Sequence, residues 1–177
     1  MMTQVKEVSL EDLLLAREQR AQKQKELIER HKAGLISFTV NIPGNNKDSQ
    51  LSRRIFDAGL SAIKRGFQLN GIKIIHEEAN YKFTGAEAFV SVDADEIQIK
   101  KICVEIEENH PMGRLFDIDV IDRKCNLIQR DTLKKRKRKC LLCEEDAYSC
   151  ARSKKHRLEE LLFKIKEIAD EYFKNAG

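Results

Sequence analysis

The chain has no tryptophan, only two prolines and no apolar run near the roughly 18 residues of a membrane-spanning helix. Its N-terminus, M-M-T-Q-V-K-E-V-S-L-E-D, lacks the apolar core of a signal peptide. These absences lead us to expect a cytoplasmic protein with no membrane partner. In that reducing compartment its five cysteines should stay as thiols or hold a metal. No internal repeat or low-complexity linker divides the chain, and 177 residues make one domain with a real core. What is abundant is charge. Charged residues make up 35% of the chain and hydrophobic ones 41%, which fits a globular protein with a heavily charged surface. The net charge is only +4 but is unevenly spread. Acid gathers at Glu105, Glu107 and Glu108, and base in the unbroken run Lys134–Lys139.

Ser9 and Asp12 read as a capping box opening a helix over about 10–32, ended by Gly34. Leu10, Leu13 and Leu14 give it a short apolar stripe, but its middle, A-R-E-Q-R-A-Q-K-Q-K-E, is almost wholly polar and reads as a solvated arm. L-I-S-F-T-V-N-I-P is a strand stopped by Pro43-Gly44, and helical spacing runs from Ser49 to Gly66. A strand at about 72–76, a turn at Thr84-Gly85 and the strand A-E-A-F-V-S-V follow. Asp93 and Glu96 suggest a second capping box, and Ile99, Ile102, Cys103 and Ile106 form the face of the helix it opens. Asn109-His110-Pro111 ends that helix before a last strand, L-F-D-I-D-V. The order β-α-β-β-α-β with right-handed crossovers predicts an α+β, ferredoxin-like plait, in which the third strand is expected to separate the first from the fourth. Leu158, Leu161, Leu162, Ile165, Ile168, Ala169 and Tyr172 mark a C-terminal amphipathic helix. The single domain thus reads as a charged N-terminal helix (1–33), a catalytic core (34–133) and a basic, Cys/His-rich segment plus helix (134–177).

Four constellations carry chemistry. Asp117 and Asp119 alternate with Phe116, Ile118 and Val120, so both carboxylates project from one face of a strand. Repelling neighbours of this kind need bulk solvent, a shared proton or a cation. Mg²⁺ takes one or two carboxylates together with substrate phosphates, and Arg114 nearby could balance the acids or grip phosphate. The ordinary alternative is a surface strand with two acids. Second, I-P-G-N-N-K-D-S offers Gly44, Lys47 and Ser49 at a strand-to-helix turn, suited either to a phosphate or simply to a polar turn. Third, Cys140, Cys143, Cys150 and His156 have the spacing C-x2-C-x6-C-x5-H, suited to tetrahedral Zn²⁺ but unlike a common finger; small buried residues are the ordinary reading. Cys103 and Cys125 are expected in the core. Fourth, the run Lys134–Lys139 suits an acidic partner, a polyphosphate or nucleic acid, but lacks interleaved aromatics for base stacking.

With S-F-T-V-N-I-P-G, T-G-A-E-A-F-V-S-V-D-A, E-E-N-H-P-M-G-R-L-F-D-I-D-V-I-D and C-L-L-C…C-A-R…H…E-E-L in order, residues 34–170 resemble the citrate lyase holo-acyl-carrier-protein synthases, the apo-citrate lyase phosphoribosyl-dephospho-CoA transferases. The N-terminal helix lies outside the recognised motifs. The resemblance implies transfer of a 5-phosphoribosyl-dephospho-CoA group from its triphosphate precursor, triphosphoribosyl-dephospho-CoA, to a serine of the acyl carrier (gamma) subunit of citrate lyase, releasing pyrophosphate. It implies that Asp117 and Asp119 hold Mg²⁺, that Arg114 and Lys47 stabilise the leaving pyrophosphate, and that His110 is a candidate proton acceptor. The basic run would then dock the acidic carrier, and nucleic acid is not an expected partner. L-F-D-I-D-V also resembles the metal-binding strand of hydroxymethyl-dihydropterin pyrophosphokinase, which supports the plait by analogy. The reading from a different class is a small zinc-stabilised module that binds nucleic acid through its basic run.

Overall fold

The computed structural model describes residues 7–175. Its centre is a four-stranded sheet built from β1 (Gly34–Val40), β2 (Ile74–Lys82), β3 (Gly85–Val92) and β4 (Phe116–Ile121). The strand order is β2-β3-β1-β4, and every neighbouring pair is antiparallel. The expected separation of the first and last core strands is therefore wrong: β4 pairs directly with β1, setting Asp117 opposite Thr39 and Asp119 opposite Ser37. The third strand lies on the other side of β1, because α3 carries the chain back across β1 to its far edge.

Alternation along the strands gives the sheet two chemically different faces. Ile36, Phe38, Val90, Phe116, Ile118 and Val120 point to one side and bury against α2 (Gln50–Leu69) and α3 (Glu96–Asn109). Ile55, Phe56, Ile63 and Phe67 of α2 and Ile99, Ile102 and Cys103 of α3 complete that core, and α5 (Leu158–Asn175) adds Ile165 and Ala169. Helix α2 runs three residues past Gly66. There a Cβ would come within 2.9 Å of Ile106, so glycine serves close packing on α3 rather than termination. Helix α3 is capped by Asp95, not Asp93: its carboxylate accepts from the backbone N–H groups of Ile97 and Gln98. β2 is longer than its apolar start suggests, because the charged stretch after His76 continues to pair with β3.

The opposite face is covered by α1 (Leu10–His31), opened by the Ser9–Asp12 capping box and closed by Lys32 at φ 52°. Leu27 and Ile28 bury against Leu35, Phe89 and Ile121. The polar middle of α1 is not a solvated arm. Arg20 reaches Glu87 at 3.0 Å, Lys23 reaches Glu78 at 3.0 Å, and the Gln24 amide donates to Ser37 at 2.9 Å. The helix is polar there because the sheet face beneath it is polar, and Arg20, Lys23 and Gln24 meet their complements across the layer.

β4 is an edge strand, yet its outer edge is occupied. The Ile118 N–H donates to Glu107 at 3.3 Å, and the Ile118 carbonyl accepts from Lys100 at 3.4 Å. Cys103 is buried as expected, but Cys125 is exposed, at φ 65° in a turn where the Asp122 carboxylate accepts from the N–H groups of Lys124 and Asn126. A short α4 (Ala147–Ser153) follows the basic segment. No helix among the described residues is long and apolar enough to cross a membrane.

Candidate functional site

The end of β1 and the starts of β3 and β4 meet at one end of the sheet, where the loop 41–49 separates two clefts. The smaller, of about 160 Å³, lies on the α1 side and is lined by Asp117, Lys47, Arg17, Arg20, Ser52 and Thr84 among others. Asp117 and Lys47 thus share one pocket, although 70 residues separate them. Lys47 donates to the carbonyl of Ile42, in its own loop. Its pKa is held below the usual lysine value, first by burial and then by the nearby charge of Arg17. Asp119 keeps an open surface, but the protein crowds its carboxyl. Burial, and then the charge of Asp117, push it up to about 6. A cation between the two carboxylates would relieve both effects. No third His, Cys, Asp or Glu joins them in a compact cluster among the described residues, so the pair offers only hard oxygen donors, which suit Mg²⁺.

The larger cleft, of about 700 Å³, lies across the loop against α5 and the Cys/His segment. Gly44 lines it at φ 81°, where a Cβ would come within 3.1 Å of Leu158. The Cys/His segment folds as a knuckle. Cys140 N–H donates to Glu145 O at 2.7 Å, Ala147 N–H donates to Arg138 O at 2.9 Å, and Asp146 caps α4. Lys154, at φ 50°, ends α4 and turns the chain back, bringing His156 Nε2 to 3.3 Å from Cys143 Sγ. The donor atoms of Cys140, Cys143, Cys150 and His156 all lie within 4.8 Å of one another. A tetrahedral ion with ~2.3 Å bonds to sulfur separates its ligands by ~3.8 Å, so this cluster can hold a metal with little movement. Without an ion the thiols are unequal: against burial, hydrogen bonds from the Leu142 and Cys143 N–H groups and from the neighbouring thiols hold Cys140 below its usual value, whereas the Cys150 thiol is pushed up to about 12 by burial and then by its neighbours.

Arg114 lines the larger cleft, not the aspartate pocket. Its guanidinium donates to the carbonyls of Lys139, at 2.9 Å, and Cys140. In return Arg138 donates to the carbonyls of Phe116 (2.8 Å), Arg114 (2.9 Å) and Gly113 (3.2 Å). These two arginines clasp the start of β4 to the knuckle. His110 accepts from the Met112 N–H at 3.0 Å and lies tilted between the rings of Phe116 and Tyr172. It sits on the sheet face opposite the aspartates, and burial lowers its pKa. Ser49 is the α2 cap, accepting from the Ser52 N–H at 3.0 Å, and Ser52 rather than Ser49 lines the pocket.

The basic run is not a free patch. Lys135 pairs with Glu108 at 2.8 Å, Arg138 lies 3.6 Å from Glu107, and Lys139 pairs with Glu144. Arg130 joins them on Glu107 at 2.7 Å. The acids that looked like a separate concentration in the sequence pair with two of the six cations of the run, Lys135 and Arg138, and Glu144 takes Lys139, leaving Lys134, Arg136 and Lys137 outside any ion pair among the described residues. Reasoning from the sequence missed Arg17 and Arg20, and counted Arg138 only as one cation of the basic run. The only signal for the first two was their i, i+3 spacing beside the buried Ala16, which sets them on one helical face.

The fold and these clefts define a small α+β protein with paired carboxylates, nearby cations and a metal-competent thiol knuckle gathered toward one end of its sheet. Residues 8–172 match the family model described as apo-citrate lyase phosphoribosyl-dephospho-CoA transferase. A Vibrio cholerae serotype O1 protein named "Probable apo-citrate lyase phosphoribosyl-dephospho-CoA transferase" is 43% identical over 166 residues, 93% of each chain. An Escherichia coli O7:K1 protein bearing the name without that qualifier is 37% identical over 164 residues, 93% of this chain and 90% of its own. One from Citrobacter koseri is 37% identical over 161 residues, 91% and 88% of the two chains. The chain belongs to this family and is a transferase. Because the match begins at residue 8, α1 falls within the family's span rather than outside it.

Proposed function

We propose that the protein attaches the 5-phosphoribosyl-dephospho-CoA group of its triphosphate precursor to a serine of the citrate lyase acyl carrier (gamma) subunit, releasing pyrophosphate. The observation that carries this reading is the pocket shared by Asp117 and Lys47 in a chain of this family. The serine oxygen of the partner forms a bond to the α-phosphorus. The bond from that phosphorus to the bridging oxygen breaks, its electrons leave on pyrophosphate, and the hydroxyl proton passes to solvent. The nucleophile belongs to the partner, so the enzyme's task is alignment and charge stabilisation, as in nucleotidyl transfer. Asp117 and Asp119 would hold Mg²⁺, which when bound supplies neutralisation of the triphosphate charge. Lys47 faces the same space and stabilises the leaving group.

Three finer readings go with it. The strand order and the two helical crossovers support a ferredoxin-like plait. Three thiolates and an imidazole are the donor set of structural zinc. The cations of the basic run left outside ion pairs suit an acidic carrier, while the pairing of Lys135 and Arg138 with α3 argues against a nucleic-acid surface there. Mass spectrometry of apo-carrier incubated with enzyme, precursor and Mg²⁺ tests the whole. A mass gain equal to the prosthetic group on one serine, with pyrophosphate released, is expected. An unmodified carrier overturns the proposal.

A further inference from the structure

Two cations of the small pocket face each other, and neither has a carboxylate within ion-pair distance among the described residues. Lys47 projects from the loop after β1, and Arg17 from the polar stretch of α1, close enough for its charge to hold the Lys47 pKa down. The acids that would ordinarily settle between them are engaged elsewhere. Asp48, next to Lys47 in the chain, is bound to Arg53 by two bonds of 2.6 and 2.7 Å. Glu87 is shared by Arg20 and Lys82, and Glu78 is paired with Lys23. Arg20 and Lys23 therefore meet acid on the sheet, whereas Arg17, on the same helix, has no carboxylate within ion-pair distance among the described residues. Two like charges held together without a counterion are unfavourable, and an anion between them turns the repulsion into attraction. Asp117 lines the same pocket, so cation-binding and anion-binding groups confront each other within about 160 Å³. That space is small beside the roughly 300–1,000 Å³ of sites for drug-sized ligands, and suits a pyrophosphate-sized group rather than a nucleoside.

We propose that Arg17 and Lys47 form the seat for the two terminal phosphates of the triphosphate substrate, with Asp117 on the metal-facing side of the same pocket. The proposal rests on the transferase reading above and makes α1 part of the substrate site rather than an appendage to the fold. Arg17 offers a planar fork of donors to phosphate oxygens, and Lys47 a point charge.

The test is calorimetric titration of the full chain with magnesium pyrophosphate, comparing wild type with Arg17→Ala, Arg17→Lys and Lys47→Ala. Arg17→Ala is expected to weaken binding about tenfold or more, the size of one charge-assisted contact, and Arg17→Lys to recover part of the loss. The KM for the precursor should rise by a similar factor while the KM for the carrier stays unchanged. Arg17 is exposed, so its melting temperature should hold, which separates loss of a ligand contact from loss of helix docking. Magnesium pyrophosphate binding unaltered in Arg17→Ala, or a rise confined to the carrier KM, overturns the seat. Carrier labelling by wild type alongside unaltered binding in Arg17→Ala overturns the seat and leaves the transferase reading standing. An unlabelled carrier overturns that reading, while the titration still decides whether the two cations hold pyrophosphate.

Discussion

The two clefts at the end of the sheet lie on either side of one loop and are built from opposite chemistry. The aspartate pocket uses hard oxygens and amines carried by a strand, a helix and a short loop. The larger cleft is walled by soft sulfur and imidazole donors on a knuckle with little regular structure. A strand holds Asp117 and Asp119 in place without help, because backbone pairing with β1 fixes their spacing. The knuckle has no such scaffold, and its four donors, together with the arginine clasp, take the place of a core. The first arrangement suits transient binding of a charged substrate, and the second suits permanent binding of an ion that stabilises a fold.

The sharpest way to break this contrast is at the carboxylates. Asp117→Asn and Asp119→Asn should each lower carrier labelling at matched Mg²⁺ by about a hundredfold or more, because a metal's charge stabilisation is commonly worth several kcal/mol. Their thermal unfolding should be unchanged or slightly improved, since a repelling pair is relieved. Turnover within a few-fold of wild type would reduce the pair to surface acids.

The knuckle should answer in the reverse sense. Cys140→Ser, or chelation, is expected to remove about one zinc per chain and to lower the melting temperature by several degrees, with the loss of activity following the loss of fold. Metal analysis and thermal unfolding check this. Metal-free protein with unchanged melting after chelation removes the ion from the knuckle.

Acidity distinguishes the clefts more gently. The Asp119 carboxyl, at about 6 in the folded chain, lies above the ~3.9 of an unfolded aspartate. Folded protein therefore holds this proton more tightly than unfolded protein does. The associated stability is present in full below about pH 4 and is lost as pH rises through about 6. Asp119→Asn should flatten that part of the stability–pH curve measured by denaturant midpoints in metal-free buffer. An unaltered slope would locate the titration elsewhere.

The smallest effect is expected at the basic run. Replacing Lys134, Arg136 and Lys137 together with alanine should raise the carrier KM a few-fold and reduce its salt sensitivity, with turnover at saturation nearly unchanged. Lys135→Ala should cost little in docking, because its charge is already matched by Glu108. A carrier KM that is the same at every salt concentration would separate the run from docking altogether.

How far each element was legible follows from where its information lies. β4 and its two acids were readable because a period of two is local, and the Cys/His set because ligand spacing is local as well. The apolar faces of α2, α3 and α5 follow the same logic. The polar middle of α1 misled because hydrophobic periodicity assumes an apolar partner, and here Glu87, Glu78 and Ser37 form the complement on strands far along the chain. Arg114 misled for a related reason: three residues from Asp117 in sequence, it is turned by the bend before β4 toward the knuckle carbonyls.

By itself the sequence determined the α+β class, the order of the core elements, the side-by-side aspartates and the four candidate metal ligands. Each of these rests on contacts within a few residues or on a periodicity that names its own buried face. Only the tertiary structure decided that β1 lies beside β4, that α1 roofs the acidic face, that Lys47 shares a pocket with Asp117, and that acids of α3 pair with Lys135 and Arg138 of the basic run. Those pairings join residues tens of positions apart, and electrostatic complementarity carries no spacing rule from which the partner of a given charge can be read.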